Sequence, residues 1–167
     1  MTHELLVLRH AKSAWDTGAR TDFERPLSKR GLRDAPRMGR FLADEGLVPD
    51  HVVSSPAERA RQTVIAVCAE LGFDDGAIRW DERVYHATTG ALMDVLAESP
   101  PGARRVLIAG HNPGLMLAFQ QFADALFRQG QHGVQFLLAE GMALGRALYL
   151  DEIAGVANPG MPEFAVV

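Results

Sequence analysis

The stretch Glu4-Leu5-Leu6-Val7-Leu8-Arg9-His10 begins with a continuous apolar run and ends in two basic residues. A run of this kind predicts a strand that is buried on both faces, as in a parallel sheet. Two later segments have the same form, His51-Val52-Val53-Ser54 and Arg105-Val106-Leu107-Ile108-Ala109. Stretches with the apolar spacing of helices separate them. We therefore predict an α/β fold, a single-domain three-layer sandwich with a mostly parallel central sheet flanked by helices.

The first predicted helix lies between the first two of these strands. Ser28 is a good N-cap, and the helix is expected to run to about Glu45, with Gly46 as its stop. Pro36 falls in the middle of this stretch, which predicts either a kink or a late start of the helix.

Two dipeptides predict further helix starts, because each places a cap residue before a proline. Ser55-Pro56 is expected to open the second helix, and Asn112-Pro113 a helix that reaches about Arg128. The other predicted elements are a short strand at 78–80, a helix over Thr89–Glu98 and a last strand over Ala143–Leu150.

Length and composition limit the class of protein. The chain has 167 residues, which suits one domain; we place it at residues 1–152, with 153–167 as a loosely held tail. The net charge of −4 argues against a nucleic-acid partner, and no apolar run reaches the ~18–20 residues of a membrane span. The N-terminus lacks the pattern of a signal peptide. Cys68 is the one cysteine, so we expect a reducing, cytoplasmic location.

Polar side chains, most of them basic, follow each of the three buried strands. These are Arg9-His10, then Ser55 with Arg59 one turn later, then His111-Asn112. In open parallel sheets, ligands bind beyond the carboxyl ends of the strands. If the three strands are neighbours, two histidines, two arginines and two helix N-termini meet there. This set of groups predicts a site for a small, multiply charged anion such as phosphate.

The same residues carry a family resemblance. Arg9-His10-Ala11 resembles the R-H-[G/A] motif of the histidine phosphatase superfamily, which includes the phosphoglycerate mutases. Residues 22–31 are similar to the D-x-x-R-P-L-x-x-x-G stretch of its small bacterial SixA-type phosphohistidine phosphatases. Residues 54–63 resemble S-S-P-x-x-R-A-x-x-T, and residues 110–113 resemble G-H-N-P. The four motifs occur in the family's order, and they imply a phosphoglycerate mutase-like fold.

The resemblance implies a role for each of these residues. His10 would be the nucleophile that forms a phosphohistidine intermediate, while Arg9 and Arg59 would hold the phosphoryl oxygens. His111, protonated against the phosphate, would be a further donor. The other two candidate phosphate ligands, just after the nucleophile, are Lys12 and Ser13. No cofactor is expected, and no metal, because the six histidines show no metal-ligand spacing.

The general acid is a separate question. Residues 81–86, Asp-Glu-Arg-Val-Tyr-His, are similar to the N-E-R-x-Y-G segment of the mutases, whose glutamate protonates the leaving oxygen. Glu82 is therefore the candidate acid. The alternative is a surface carboxylate that follows a short strand.

The expected substrate depends on the length of the segment after Glu82. Mutases carry a long insertion there, whereas this chain has room for one short helix before the strand at Arg105. An open pocket favours phosphohistidine on a protein, such as a histidine phosphotransfer protein. The alternatives are a small phosphate ester, with the chain acting as a phosphatase or mutase, and a non-catalytic module that binds phosphorylated ligands. Residues 129–147 depart from the family pattern, so they predict nothing about substrate preference.

Overall fold

A sheet of five parallel strands forms the centre of the protein. The computed structural model describes residues 4–118 and 134–138. The strands are β1 (Glu4–Arg9), β2 (His51–Ser54), β3 (Arg79–Trp80), β4 (Arg105–Gly110) and β5 (Val134–Leu138), in the spatial order β3-β2-β4-β1-β5. The helices are α1 (Lys29–Asp44), α2 (Glu58–Leu71) and α3 (Thr89–Ala97), with helical residues also at 114–118. The predicted α/β fold with a mostly parallel sheet is confirmed.

Helices cover both faces of the sheet because successive strand residues point to opposite sides. Leu6 and Leu107 are fully buried in a cluster with the apolar sides of α1 and α2. Their neighbours Val7 and Ile108 are buried in a second cluster, which includes Leu92 of α3. The continuous apolar runs therefore supply two cores, one on each side of the sheet, and these give the three layers.

The first helix begins where the sequence predicts. The hydroxyl of Ser28 accepts a hydrogen bond from the backbone N–H of Gly31 at 3.2 Å, so Ser28 is the N-cap of α1. α1 begins directly after this cap, at Lys29, and Pro36 lies inside the helix. The predicted alternative in which the helix starts late, at the proline, is therefore wrong. The helix ends at Asp44, and Gly46 follows with a φ of +67°.

The two helices on the same face of the sheet approach each other closely at Gly39. A Cβ atom at this position would lie 2.7 Å from the carbonyl oxygen of Val67 in α2. Only a residue without a side chain permits this spacing, so Gly39 sets the distance between α1 and α2.

The prediction that Ser55-Pro56 opens the second helix is wrong. α2 begins at Glu58, and the residue before it, Ala57, has no side-chain cap. The Ser55 hydroxyl accepts from the Ala57 N–H at 3.3 Å and also lies 2.9 Å from Nε2 of His111. The serine therefore belongs to the histidine's surroundings and not to a helix cap.

The remaining predicted elements differ from the structure at their ends. The helix after Asn112-Pro113 begins at residue 114, and its predicted end at Arg128 lies outside the described residues. The predicted strand over Ala143–Leu150, the domain limit at 152 and the tail also lie outside them. β5 was not predicted. No helix within residues 4–118 is long and apolar enough to cross a lipid bilayer.

Candidate active site

Three adjacent strands bring the candidate residues to one edge of the sheet. In the spatial order, β4 lies between β2 and β1, and Arg9 is in register with Gly110. The next residues along the chain are therefore side by side, and the ring centroids of His10 and His111 are 5.0 Å apart. Both histidines are buried, whereas Arg9 at the end of β1 is half-buried.

The orientation of the His10 ring is set by a carbonyl of its own loop. Nδ1 of His10 lies 2.8 Å from the carbonyl oxygen of Ala11. A carbonyl only accepts, so Nδ1 carries the proton and Nε2 carries the lone pair of the neutral ring. The Nε–H of Arg59 donates to this Nε2 at 3.3 Å. The unprotonated ring nitrogen of His10 and a cationic donor thus face each other.

The loop that holds His10 is fixed to α2 through Thr63. The N–H of Ala11 donates to Oγ1 of Thr63 at 3.0 Å, and the Thr63 hydroxyl donates to the carbonyl of Arg59 at 2.6 Å. Thr63 is fully buried. One hydroxyl therefore connects the backbone next to His10 with the backbone of Arg59.

The guanidinium of Arg59 is held in place by Asp22. Nη1 of Arg59 donates to the Asp22 carbonyl at 2.5 Å, and Nη2 donates to its carboxylate at 2.8 Å. Arg25 and the hydroxyl of Tyr85 also donate to this carboxylate, at 2.7 and 3.0 Å. Burial alone would raise the pKa of Asp22, but these hydrogen bonds outweigh it and lower the pKa from 3.8 to about 2. Asp22 is therefore an anion that fixes the plane of the Arg59 guanidinium.

The surroundings of His111 favour its neutral form. Burial is the main cause, and the nearby charge of Arg59 adds to it, so the pKa of His111 falls from 6.5 to about 3. Its Nδ1 has no hydrogen-bond partner among the described residues, although Nε2 lies 2.9 Å from Oγ of Ser55. A protonated His111, as expected from the sequence, therefore requires the charge of a bound phosphate.

The N-terminus of α2 contributes less than the sequence predicts. The backbone N–H of Glu58, the first residue of α2, donates to the carbonyl of Phe23 at 3.0 Å. This group is already used within the protein, and the acidic side chain of Glu58 lies in the first turn. The cationic character of the site therefore depends mainly on its side chains.

Three candidates from the sequence lie at the periphery. The side chain of Lys12 is exposed, and Ser13 accepts a hydrogen bond from Arg25 at 2.8 Å. Glu82 is exposed in the short 3-10 helix Glu82–Val84, and its side chain makes no hydrogen bond or ion pair with any described residue. The structure thus gathers His10, Arg59 and His111 but leaves these three outside the hydrogen-bonded cluster.

Tyr85 and His86 line the open side of the cluster. The Tyr85 ring packs edge-on against His111, with centroids 5.3 Å apart, and the His86 ring lies 4.1 Å from that of Tyr85. The side chain of His86 is 67% exposed. Among residues 4–118, no three His, Cys, Asp or Glu side chains are arranged to hold a metal ion.

Comparison with known families accounts for this arrangement. The model of the histidine phosphatase superfamily, branch 1, matches residues 5–100 of the chain. The protein belongs to the histidine phosphatase superfamily. It shares its fold with a candidate phosphohistidine phosphatase SixA from Nakamurella multipartitia, with a TM-score of 0.67 and 28% identity over 77% of this chain and 71% of that chain. Within the superfamily, the protein is SixA-like.

Curated relatives of this chain are either uncharacterized proteins or phosphoglycerate mutases that match over a shorter stretch. An uncharacterized chloroplastic protein of Arabidopsis thaliana is 28% identical over 96% of this chain and 78% of its own length. An uncharacterized protein of Mycobacterium tuberculosis is 38% identical over 64% of this chain, and the match spans 63% of that relative. The family is therefore established, whereas the substrate is a separate matter.

Sequence reasoning missed Asp22, Tyr85 and His86 as members of the histidine phosphatase site. Asp22 begins the D-x-x-R-P-L motif, but nothing in its spacing shows that its carboxylate reaches Arg59 in another element. His86 stands where the N-E-R-x-Y-G pattern has glycine. This replacement of glycine by histidine was the one feature of the sequence that could have indicated an additional side chain at the site.

Proposed function

We propose that this histidine phosphatase forms a covalent phosphohistidine on Nε2 of His10 and removes phosphate from phosphohistidine on a protein. The observation that carries the proposal is the hydrogen bond of His10 Nδ1 to the Ala11 carbonyl, which leaves the lone pair on Nε2, opposite Arg59. In the first step, a P–N bond forms at Nε2 as the bond from phosphorus to the leaving group breaks. Water then cleaves the P–N bond and releases phosphate.

Arg59 has two tasks in this mechanism. Before substrate binds, its Nε–H donates to Nε2 of His10, and as phosphorus approaches, this donor turns to a phosphoryl oxygen. Its two Nη groups stay on Asp22, so the guanidinium keeps its plane. Arg9 and His111 complete the set of oxygen donors, and Lys12 and Ser13 are candidates for contacts at the rim. Stabilisation of phosphoryl charge by positioned donors is the main requirement of phosphoryl transfer.

The choice of a protein substrate rests on the likeness to SixA and on the open approach. Between Glu82 and β4, the described chain forms only a 3-10 helix and α3. The side chains at the mouth are exposed, 43% for Asp22 and 67% for His86. Among residues 4–118, this shape leaves room for a side chain presented by another protein. Cys68 is a buried thiol whose pKa burial raises to about 12, which is compatible with the cytoplasmic location that we propose.

The test uses purified protein without added metal. One reaction contains a histidine-phosphorylated phosphotransfer protein and a second contains 4-nitrophenyl phosphate. We expect faster loss of phosphohistidine than of ester, and no activity in His10→Ala. Arg61→Ala is the matched control for Arg59→Ala, because Arg61 is exposed two residues further along α2 and should leave both rates unchanged.

The competing functions give different results in the same assays. Ester hydrolysis without loss of phosphohistidine would indicate a phosphatase of small molecules. Binding of the phosphorylated protein without phosphate release, and without an acid-labile, base-stable phosphoryl adduct on His10, would indicate a non-catalytic binding module.

A further inference from the structure

His86 adopts a backbone conformation that side chains rarely occupy. Its φ is +50°, and within the described chain no other non-glycine residue has a positive φ. Left-handed backbone costs a residue with a side chain on the order of 1 kcal/mol, and such conformations concentrate at functional sites. Glycine would adopt the same backbone without this cost. The imidazole is therefore present despite an energetic disadvantage.

The strained backbone places the ring beside the candidate phosphate site. The centroid of the His86 ring is 6.3 Å from that of His111, and the two planes are inclined by only 26°. Its Nε2 lies 3.9 Å from Oδ2 of Asp22, the carboxylate that holds Arg59. The ring thus stands on the solvent side of the cluster, where a leaving group must depart.

We propose that His86 is the residue that protonates the leaving group. This inference rests on the proposed phosphatase function and assigns to His86 the role that the sequence resemblance gave to Glu82. Nε2 of His10 attacks phosphorus, the bond from phosphorus to the leaving atom breaks, and the His86 imidazolium gives its proton to that atom, which is the ring nitrogen of a phosphohistidine or the bridging oxygen of an ester. The imidazole or alcohol leaves neutral, and His86 regains a proton from the water that cleaves the phosphohistidine on His10.

Charged and polar groups face the His86 ring from several elements. Asp22 is anionic, and a bound phosphate adds further negative charge on the same side. Arg59 opposes this, but two of its nitrogens are paired with Asp22. The other facing groups are the neutral ring of His111 and the hydroxyl of Tyr85, which donates to Asp22. Burial lowers the pKa of His111, whereas the side chain of His86 is two-thirds exposed and can reach a departing group from the solvent side.

The competing candidate has weaker geometry. Glu82 is exposed and its side chain contacts no polar group among the described residues. No residue orients it, whereas His86 is oriented by Tyr85, with ring centroids 4.1 Å apart, and faces Asp22. A general acid needs a defined position relative to the departing atom, and His86 has one.

The test compares two aryl esters with different leaving groups. 4-Nitrophenolate leaves without help from an acid, whereas phenolate is a more basic leaving group and gains more from protonation. We expect His86→Gln to reduce kcat/KM for phenyl phosphate by about 10²-fold, and that for 4-nitrophenyl phosphate by less than about threefold. His51→Gln, the same replacement at the start of β2 and remote from the site, should change neither value.

A second variant separates chemistry from folding. His86→Gly relieves the positive φ, so it should fold at least as well as the wild type, and added imidazole should restore phenyl phosphate hydrolysis because the position is open to solvent. Equal losses on both esters, absence of imidazole rescue, or the selective loss appearing in Glu82→Gln would each overturn the assignment. A wild-type protein that dephosphorylates phosphohistidine but hydrolyses neither ester would also overturn the assignment, because an acid at His86 should serve an ester leaving group. A wild-type protein that releases phosphate from none of these substrates, or that never forms an adduct on His10, contradicts the proposed function itself. That result is distinct from an active enzyme that does not depend on His86.

Discussion

Nε of Arg59 lies 3.3 Å from Nε2 of His10, so the guanidinium donates to the atom that we propose as the nucleophile. The same guanidinium donates twice to Asp22. One arginine therefore fixes the orientation of the His10 ring, and a carboxylate holds the arginine. This chain of contacts links the first strand, the loop after it and α2, and several predictions depend on it.

Arg59→Lys should nearly abolish phosphatase activity even though the charge is kept. A lysine has one ammonium group and cannot donate in parallel to Asp22 and to His10. We expect kcat/KM to fall by about 10²-fold or more, the usual cost of losing a positioned donor to phosphoryl or acyl oxygens. The measurement is steady-state hydrolysis of 4-nitrophenyl phosphate, with Arg61→Lys as control. Activity within about threefold of the wild type would contradict the role given to the guanidinium.

The buried, neutral state of His111 predicts an acid-dependent loss of stability. The pKa of His111 is about 3 in the folded protein and 6.5 in the unfolded chain, so the unfolded chain binds a proton first as the pH falls. The contribution of neutral His111 to the free energy of unfolding is fully present above about pH 6.5. It is lost as the pH falls from there to about 3. Between pH 6.5 and 5, the loss is on the order of 1–2 kcal/mol.

Urea unfolding at several pH values checks this expectation. The free energy of unfolding of the wild type should fall more steeply with acid than that of His111→Gln, which has no proton to take up there. Parallel curves for the two proteins would show that His111 titrates normally in the fold.

Thr63→Val should reduce both stability and activity. The variant keeps the shape but leaves the Ala11 N–H without its acceptor, and a buried unsatisfied donor costs about 1–3 kcal/mol. Because the Ala11 carbonyl orients His10, we also expect slower turnover. Thr63→Ser keeps the hydroxyl and should retain most of the activity. If valine and serine variants were equally active, the hydroxyl would have no part in positioning the nucleophile.

Gly31→Ala should destabilise the protein more than a surface glycine replacement. A Cβ at residue 31 would lie 2.3 Å from the backbone carbonyl oxygen of Lys12, so the loop after His10 would have to shift. The expected loss is about 2 kcal/mol, measured by thermal or urea unfolding. Gly90→Ala is the control, since a Cβ there meets nothing closer than 4.0 Å within α3, and alanine should stabilise the helix by up to about 1 kcal/mol. Equal unfolding midpoints for the two variants would rule out this steric constraint.

The sequence was sufficient for features that depend on local pattern. Continuous apolar runs identified β1, β2 and β4, and a serine three residues before Gly31 marked the start of α1. These signals work because burial of both strand faces and satisfaction of a helix N-terminus are local requirements. β5 is also apolar and directly follows Gly133, but it lies in a stretch that matches no family motif and was not predicted as a strand.

Features that depend on contacts between distant segments could not be predicted. Ser55 has the composition of a helix cap, yet its hydroxyl is next to His111, which is 56 residues away in the sequence. Asp22 reaches Arg59 over 37 residues, and Tyr85 reaches Asp22 over 63. The local sequence pattern does not indicate which distant residues come into contact. The identity of the residues was therefore accessible from the sequence, but their partners were not.

The position of β1 in the sheet has a consequence for biosynthesis. β1 pairs only with β4 and β5 among the described strands, and Glu4 at its start forms an ion pair with Arg105, 101 residues later. As the chain emerges from the ribosome, the segment with His10 is made first, but its neighbours in the sheet are made more than a hundred residues afterwards. Pairing over such long sequence separations is slow. His10, the proposed nucleophile, therefore reaches His111 only when synthesis is well advanced, and we expect an incomplete nascent chain to have no phosphatase activity.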